Sequence, residues 1–331
     1  MRALTIVPRG EAGAYALRDD VPAPAIGPRE LLVRVRAAAL NRADLAQRAG
    51  RYRQAATARE GVPIGGLEAA GEVVAVGAQV TLHRVGDRVM GMCSGGFAEC
   101  IALDERIALP VPGALDWPQA AATPVALLTE HDALATRARL QPGESVLIHA
   151  AASGVGLIGV QIAKLLGAAP LLATAGDARK AEVVRALGAD VTIEHRRQDF
   201  EAIAAEHTPH GVDVVIDHVG AALLPANLRA LAVGGRLVSV GRLGERIGEI
   251  DLDLLARKNL QLLGASFRTR TLEQYGEVAW RAADALLPAL ADGRLRPLVD
   301  SVFPLERAAE AQERMLENRH VGKIVLEIGA H

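Results

Sequence analysis

The residues best placed for chemistry lie in one stretch, Val146–Ala168, which reads VLIHAAASGVGLIGVQIAKLLGA. Five apolar-leaning residues, Val146–Ala150, predict a buried parallel strand. Ser153-Gly154-Val155-Gly156 then predicts a tight turn, and the residues beyond it predict a helix that stops at Gly167. Unpaired N–H groups in the first turn of such a helix, together with the positive end of its dipole, attract a pyrophosphate. Glycine is needed there because a side chain would hold the phosphate away from the backbone. The strict G-x-G-x-x-G pattern is not met, since Ala151 and Ser153 stand at its first two glycine positions and only Gly156 keeps the third. Taken alone, the stretch fits a dinucleotide site or simply a buried strand–helix unit with a small-residue turn.

The elements that would position this turn repeat its style. A second apolar strand, Leu171–Ala175, is followed by ATAGDARK (Ala173–Lys180) and a helix to Gly188. Strands are expected at Val191–Ile193, Val212–Asp217, Gly235–Val240 and Leu260–Ala265, alternating with helical stretches. Repeated βα units of this length predict an α/β fold with a doubly wound parallel sheet and a ligand at the carboxyl ends of its strands.

Before Gln119 the texture changes to short strand-like runs, namely Ala3–Val7, Leu31–Ala39, Gly71–Val76, Arg88–Met90 and Phe97–Leu103. Gly/Pro turns separate them at Ala23–Gly27, Pro63–Gly66 and Gly95–Gly96, an all-β pattern suited to a compact, irregular barrel. The tail returns to this style with strands at Val299–Phe303 and Gly322–Glu327 around an amphipathic helix at Leu305–Glu317. The expected organisation is a discontinuous β-rich domain, residues 1–122 with 267–331, and an inserted nucleotide-binding domain, residues 123–266.

Composition excludes several functions. The 331 residues are half apolar, enough for two cores, and a net charge of −2 gives no general attraction to nucleic acid or an anionic membrane. No apolar run reaches the ~18 residues that would span a bilayer. The opening MRALTIVPRG passes into a strand-like pattern without a secretory core, so the reading places the protein in the cytoplasm. Cys93 and Cys100 make no disulfide framework and lack metal-binding partners nearby, and are read as two buried, inert thiols. His207 and His210 fall in a Pro/Gly stretch without an acidic or cysteine partner and are read as a surface loop.

Several separated motifs, in order, resemble one family across essentially the whole chain. They are LNRADLAQRAGRY (Leu40–Tyr52), GGLEAAGEV (Gly65–Val73), VGDRVMG (Val85–Gly91), Val146–Ala168, TAGDARK and NRHVGKIVLE (Asn318–Glu327). The chain resembles a zinc-free medium-chain dehydrogenase/reductase of the quinone oxidoreductase branch, and within it the p53-inducible quinone oxidoreductase and its bacterial relatives. The resemblance implies a GroES-like β-rich domain beside a Rossmann domain. Zinc-dependent members supply a catalytic cysteine where this chain has Asn41 and a histidine where it has Leu67. Zinc needs three protein ligands and an open position, so these replacements imply no metal.

The resemblance further implies that Asn41 hydrogen-bonds the cofactor and that Tyr52 lines the acceptor pocket with its hydroxyl near the acceptor oxygen. The rival role for Tyr52 is packing, and Asp44 is read as a helix N-terminal or salt-bridge residue. Thr129 would sit near the nicotinamide. Glu130 and His131 stand where small and aromatic residues are usual; His131 is either a proton donor or a partly exposed helix residue. Gly241, Arg242 and Leu243, with Ser266, Phe267 and Arg268, would approach the nicotinamide through backbone groups. Asp217-His218-Val219-Gly220, ending the fourth strand, lines the same side by fold logic.

Charge argues for the cofactor. Enzymes that use NAD place a carboxylate at the end of the second strand, where it binds the ribose and repels a 2′-phosphate. Here Ala175-Gly176 fills that place, followed by Lys180, and His195 precedes Arg196-Arg197; these match NADPH-using relatives, while Asp177 and Glu194 count against them. The reading is an NADPH-dependent quinone oxidoreductase that passes hydride to a quinone or other conjugated carbonyl in the interdomain cleft. Orienting donor and acceptor within about 3–3.5 Å would supply much of the rate. Alternatives are a 2-alkenal or enone double-bond reductase on the same scaffold, and a non-catalytic NADPH-binding sensor. The sixth strand would leave an exposed sheet edge in a monomer, and relatives imply a homodimer. The loop Arg53–Val62 carries no readable code for the acceptor.

Overall fold

A computed structural model describes residues 1–8, 10, 13–52, 56–57 and 60–329. Within the loop at 53–62, residues 53–55, 58 and 59 lie outside the described residues. The chain forms two compact units, residues 1–128 with 267–331 and residues 129–266. Residues 123–128 group with the terminal unit, because the division falls inside the continuous helix Pro124–His131.

The amino-terminal part of the first unit contains β1 (Ala3–Val7), β2 (Ala14–Arg18), β3 (Glu30–Ala39), α1 (Arg42–Arg48), β4 (Glu68–Val76), β5 (Arg88–Met92), β6 (Cys100–Asp104), β7 (Leu109–Pro110), α2 (Trp117–Ala121) and α3 (Pro124–His131). In the central unit lie β8 (Val146–Ile148), α4 (Gly154–Leu165), β9 (Leu171–Ala175), α5 (Ala178–Ala186), β10 (Val191–Glu194), α6 (Phe200–His207), β11 (Val212–Asp217), α7 (Leu224–Ala230), β12 (Leu231–Ser239), α8 (Leu252–Arg257) and β13 (Gln261–Gly264). The chain then returns to the terminal unit with α9 (Leu272–Ala291), β14 (Val299–Pro304), α10 (Ala308–Leu316) and β15 (Lys323–Glu327).

The central sheet runs β10-β9-β8-β11-β12-β13, all parallel, so its order reverses between β8 and β11. Connections on either side of that reversal leave opposite faces of the sheet, which opens a crevice at the carboxyl ends of these two strands. Leu147, Leu172, Val215 and Leu237, neighbours in register, pack with Phe200 and Leu228 from the helices on one face of the sheet, and Val146, Ile148, Val214 and Ile216 are buried on the other. The strand expected at Val146–Ala150 ends at Ile148, because Ala150 takes a positive φ of 51° that no strand can continue.

In the terminal unit a seven-stranded sheet runs β14-β15-β3-β4-β5-β7, with β6 also paired to β3. Its central strand β3 buries Leu31, Val33 and Val35 on one side and exposes Arg34 on the other, the period of two that a half-buried strand requires. Helices α1, α2, α9 and α10 accompany this sheet, so the unit is not all-β. Helix α9, absent from the sequence reading, starts at a Thr271–Gln274 capping box and buries Tyr275, Val278, Ala282 and Leu286 at helical spacing. The helix expected at Leu305–Glu317 begins as a 3₁₀ turn at Leu305–Arg307 before α10.

Close strand packing fixes at least one glycine. A β-carbon on Gly71 of β4 would stand 2.0 Å from the Arg34 carbonyl oxygen of β3, and the two strands pair at this point. Gly113, by contrast, has no neighbour within 4 Å of such a carbon. Gly71→Ala should cost about 2 kcal/mol or more in denaturant unfolding, whereas Gly113→Ala should leave the midpoint unchanged or slightly raised. Equal midpoints for the two variants would contradict this packing.

Candidate active site

The turn after β8 has the local structure that an anion needs. Ser153 caps α4, its Oγ accepting the Gly156 N–H at 3.0 Å, while its own N–H donates to the Ala150 carbonyl at 3.0 Å. The N–H groups of Gly154 and Val155 have no acceptor among the described residues, and both point from the start of a twelve-residue helix. A β-carbon on Gly156 would lie 2.7 Å from the Ala150 carbonyl oxygen and from Ala151 Cα. This is the third glycine of the fingerprint, the one that lets helix and strand meet.

At the end of β9, Gly176 lies between two side chains: a β-carbon there would touch His195 Cε1 and Lys180 Cδ, each at 3.8 Å. His195 Nδ1 faces the Ala175 carbonyl oxygen at 2.8 Å; a carbonyl only accepts, so Nδ1 carries the hydrogen. Asp177, the acidic residue that weighed against a 2′-phosphate, is the N-cap of α5 and accepts the Lys180 N–H at 3.0 Å. Its carboxylate is thus turned to its own helix. Arg196 and Arg197 are exposed, as are His207 and His210.

The ends of β11 and β12 meet around His218. A β-carbon on Gly241 would lie 2.0 Å from the His218 carbonyl oxygen, so only glycine fits. Arg242, Leu243 and Ser266 are exposed and Thr129 is half-buried. His131 is buried rather than partly exposed. Its neighbour Glu130 is fully buried, with Oε1 2.8 Å from His218 Nε2, a pairing the sequence reading missed.

In the terminal unit, Asn41 stands at the start of α1 inside a buried polar cluster. Its Nδ2 donates to Glu68 Oε1 at 2.9 Å, and its Oδ1 accepts from Lys323 Nζ at 2.7 Å. Lys323 also donates to Glu68 Oε1 at 2.5 Å, and Glu68 Oε2 accepts the Val125 N–H at 2.8 Å. The side chains of Glu68 and Lys323 are 0% and 4% exposed, so this ion pair has little help from water and depends on its hydrogen bonds. Asp44 Oδ2 accepts the Asn41 N–H at 2.5 Å, and burial pushes the Asp44 carboxyl up to about 8. Neither Glu68 nor Lys323 drew a role in the sequence reading. The available signal was a charge placed on a buried strand position in each of two quoted motifs.

Tyr52 is half-buried, and the Arg268 guanidinium lies over its ring at 5.2 Å while donating to the Arg51 carbonyl at 3.2 Å. Phe267 is buried against Tyr275, ring centroids 5.0 Å apart. Cys93 is buried, and burial pushes its thiol up; Cys100 is only half-buried, so the reading of two buried thiols holds for the first alone.

Known proteins share the fold. Residues 27–113 match the alcohol dehydrogenase GroES-like domain family, and residues 187–326 the zinc-binding dehydrogenase family. Polyketide synthase GfsB of Streptomyces halstedii is 40% identical over 264 residues, 80% of this chain but only 4% of that protein. Quinone oxidoreductase of Rattus norvegicus is 31% identical over 331 residues, 98% of this chain and 97% of that protein. The chain belongs to the quinone oxidoreductase type of medium-chain dehydrogenase/reductase. Among solved structures of this family, the quinone oxidoreductase from Thermus thermophilus, described with its NADPH complex, superposes with a TM-score of 0.84 at 33% identity. That match covers 99% of this chain and 100% of the other.

One family description names zinc, and the residues here do not fit it. Where zinc-dependent members supply cysteine and histidine, Asn41 has its amide engaged with Glu68 and Lys323, and Leu67 is an apolar residue 2% exposed. Of the two carboxyl groups in this cluster, Glu68 already faces the Lys323 ammonium and Asp44 accepts the Asn41 N–H. Among the described residues no group of three His, Cys, Asp or Glu side chains is arranged to hold a metal ion.

The raised Asp44 pKa makes stability depend on pH. The folded state keeps this carboxyl protonated up to about 8, whereas the unfolded chain releases the proton near ~3.9. The contribution is therefore complete below the unfolded value and is lost as pH rises from ~4 towards 8. Asp44→Asn keeps the acceptor for the Asn41 N–H and removes the titration. The gap in unfolding free energy between wild type and variant should shift in favour of the variant by a few kcal/mol across this window. Parallel stability–pH curves would contradict it.

Proposed function

We propose that this chain is an NADPH-dependent oxidoreductase that reduces a quinone or another conjugated carbonyl without zinc. The observation that carries the cofactor reading is the end of β9. There Gly176 leaves room between Lys180 and His195; of the two carboxylates nearby, Asp177 is engaged in capping α5, and Glu194 stands beside Ala175 at the end of β10. A 2′-phosphate would meet a lysine and an imidazole where NAD enzymes end the second strand in an acid. The N–H groups of Gly154 and Val155 would take the pyrophosphate. The solved NADPH complex of the Thermus thermophilus relative supports the same choice.

When bound, NADPH would supply the hydride. The chain's own residues bind and orient. Asn41 has its Nδ2 on Glu68 and the Ala39 carbonyl, leaving one lone pair of Oδ1 for a nicotinamide amide. Tyr52, held under Arg268, would offer its hydroxyl to the acceptor oxygen, and the backbone at 241–243 and 266–268 would border the nicotinamide. The quinone oxidoreductases among the relatives favour a quinone as acceptor.

Binding and turnover test this together. Lys180→Ala should raise the NADPH dissociation constant about ten- to a hundredfold, since a charge-assisted hydrogen bond contributes ~1.5–3 kcal/mol, and should leave that for NADH nearly unchanged. The wild-type protein should consume NADPH on addition of a para-quinone. Equal losses for both cofactors, or no turnover with any quinone or enone, would overturn the proposal.

A further inference from the structure

Glu130 is fully buried in the central unit, and two features of the chain accommodate it. Gly159 of α4 lies directly against it: a β-carbon there would stand 2.4 Å from Glu130 Oε2, so any other residue would displace the carboxylate. The second is His218, whose Nε2 lies 2.8 Å from Oε1. A carboxylate with 0% exposure needs a cation or a proton, and the ring is the only partner found for it among the described residues. Directly after Glu130 and His131 the helix passes into a π-helical turn, Asp132–Arg137, a form concentrated at functional sites.

His218 follows β11 on the edge of the crevice. Ile216 pairs with Ile148 in parallel register at the end of β8, so His218 leaves β11 on the same side of the sheet as the turn that leads to Ser153–Gly156. Its second ring nitrogen, Nδ1, has no partner among the described residues, and the residue is 8% exposed. We propose that Glu130 holds His218 as an imidazolium whose charge faces the crevice at the ends of β8 and β11 and strengthens binding of the anionic dinucleotide there. This rests on the NADPH reading and adds to it a residue pair that makes the affinity depend on a proton.

The electrostatics agree in sign. Burial by itself would drive the proton off the ring. The Glu130 carboxylate, through charge and hydrogen bond, with a smaller pull from Asp217, outweighs it and holds His218 above the usual imidazole range. Of the other groups facing it, Asp217 Oδ1 is occupied by the N–H groups of Val219 and Gly220 at 2.7 and 3.0 Å. His149, at the end of β8, is pushed down by burial and stays neutral between Thr174 and Asn227. Arg242 and Glu245, on the segment packed against the His218 backbone, are exposed. Loss of the ring proton therefore leaves net negative charge beside an anionic ligand. By linkage, dinucleotide must bind the protonated form more tightly and must itself raise the His218 pKa.

The test follows the His218 ring by NMR in the ¹⁵N-histidine-labelled full chain, titrated free and saturated with NADPH. The free midpoint should lie above ~6.5 and rise by about one pH unit on saturation, equivalent to a tenfold tighter complex with the protonated form. Glu130→Gln keeps the shape and removes the charge, and should bring the free midpoint to or below the ordinary value. If that variant does not fold, the wild-type pair of titrations decides alone. A midpoint that NADPH leaves unmoved, or one that Glu130→Gln leaves unmoved, overturns the inference. No NADPH binding at any pH instead overturns the cofactor reading on which it rests.

Discussion

The buried pair of Lys323 and Glu68 is the constraint on which the terminal unit depends. It joins the first residue of β15 to the first residue of β4, and Asn41 at the head of α1 closes the cluster by bonding to both. Removing either charge would leave the other without compensation in a dry interior, a change of several kcal/mol in comparable cases. The same cluster decides the chemistry available. An ammonium already satisfies the Glu68 carboxylate, and an amide occupies the position where zinc-dependent relatives carry a thiolate.

The central unit depends on a different constraint, the reversal of strand order between β8 and β11. It creates the crevice, and because the strands are parallel three of their carboxyl ends lie on one side: the capped turn at Ser153, the glycine at Gly176 and the Glu130–His218 pair. Close packing conditions the first and the last of these. Gly156 lets α4 approach β8, Gly159 admits a carboxylate, and Gly241 fits under the His218 carbonyl. Backbone groups and small residues do most of the positioning, which leaves few side chains as candidates for proton transfer.

Much of this was legible in the sequence because it is local. The strands Ala3–Val7, Leu171–Ala175 and Val212–Asp217 have the expected bounds, and the Ser153–Gly156 turn has the expected form, since apolar runs and glycines act over a few residues. The strand at Val146 fell short because a positive φ at an alanine leaves no mark in composition. Helix α9 carried a readable cap at Thr271 and Gln274, but Gly276 and Pro288 weaken its helical pattern. The charged pairs were the least legible. Glu130 and His218, or Glu68 and Lys323, are far apart in the chain, and only the sheet topology makes them neighbours.

Hydride transfer without a metal is the claim that the whole account leads to, and one preparation can test it. Zinc content by elemental analysis should be measured together with the rate of NADPH oxidation by a quinone, before and after exhaustive chelation. The buried Asn41–Glu68–Lys323 cluster predicts zinc far below one ion per chain and an unchanged rate. Close to one zinc per chain, with activity lost on chelation and restored by the metal, would contradict it.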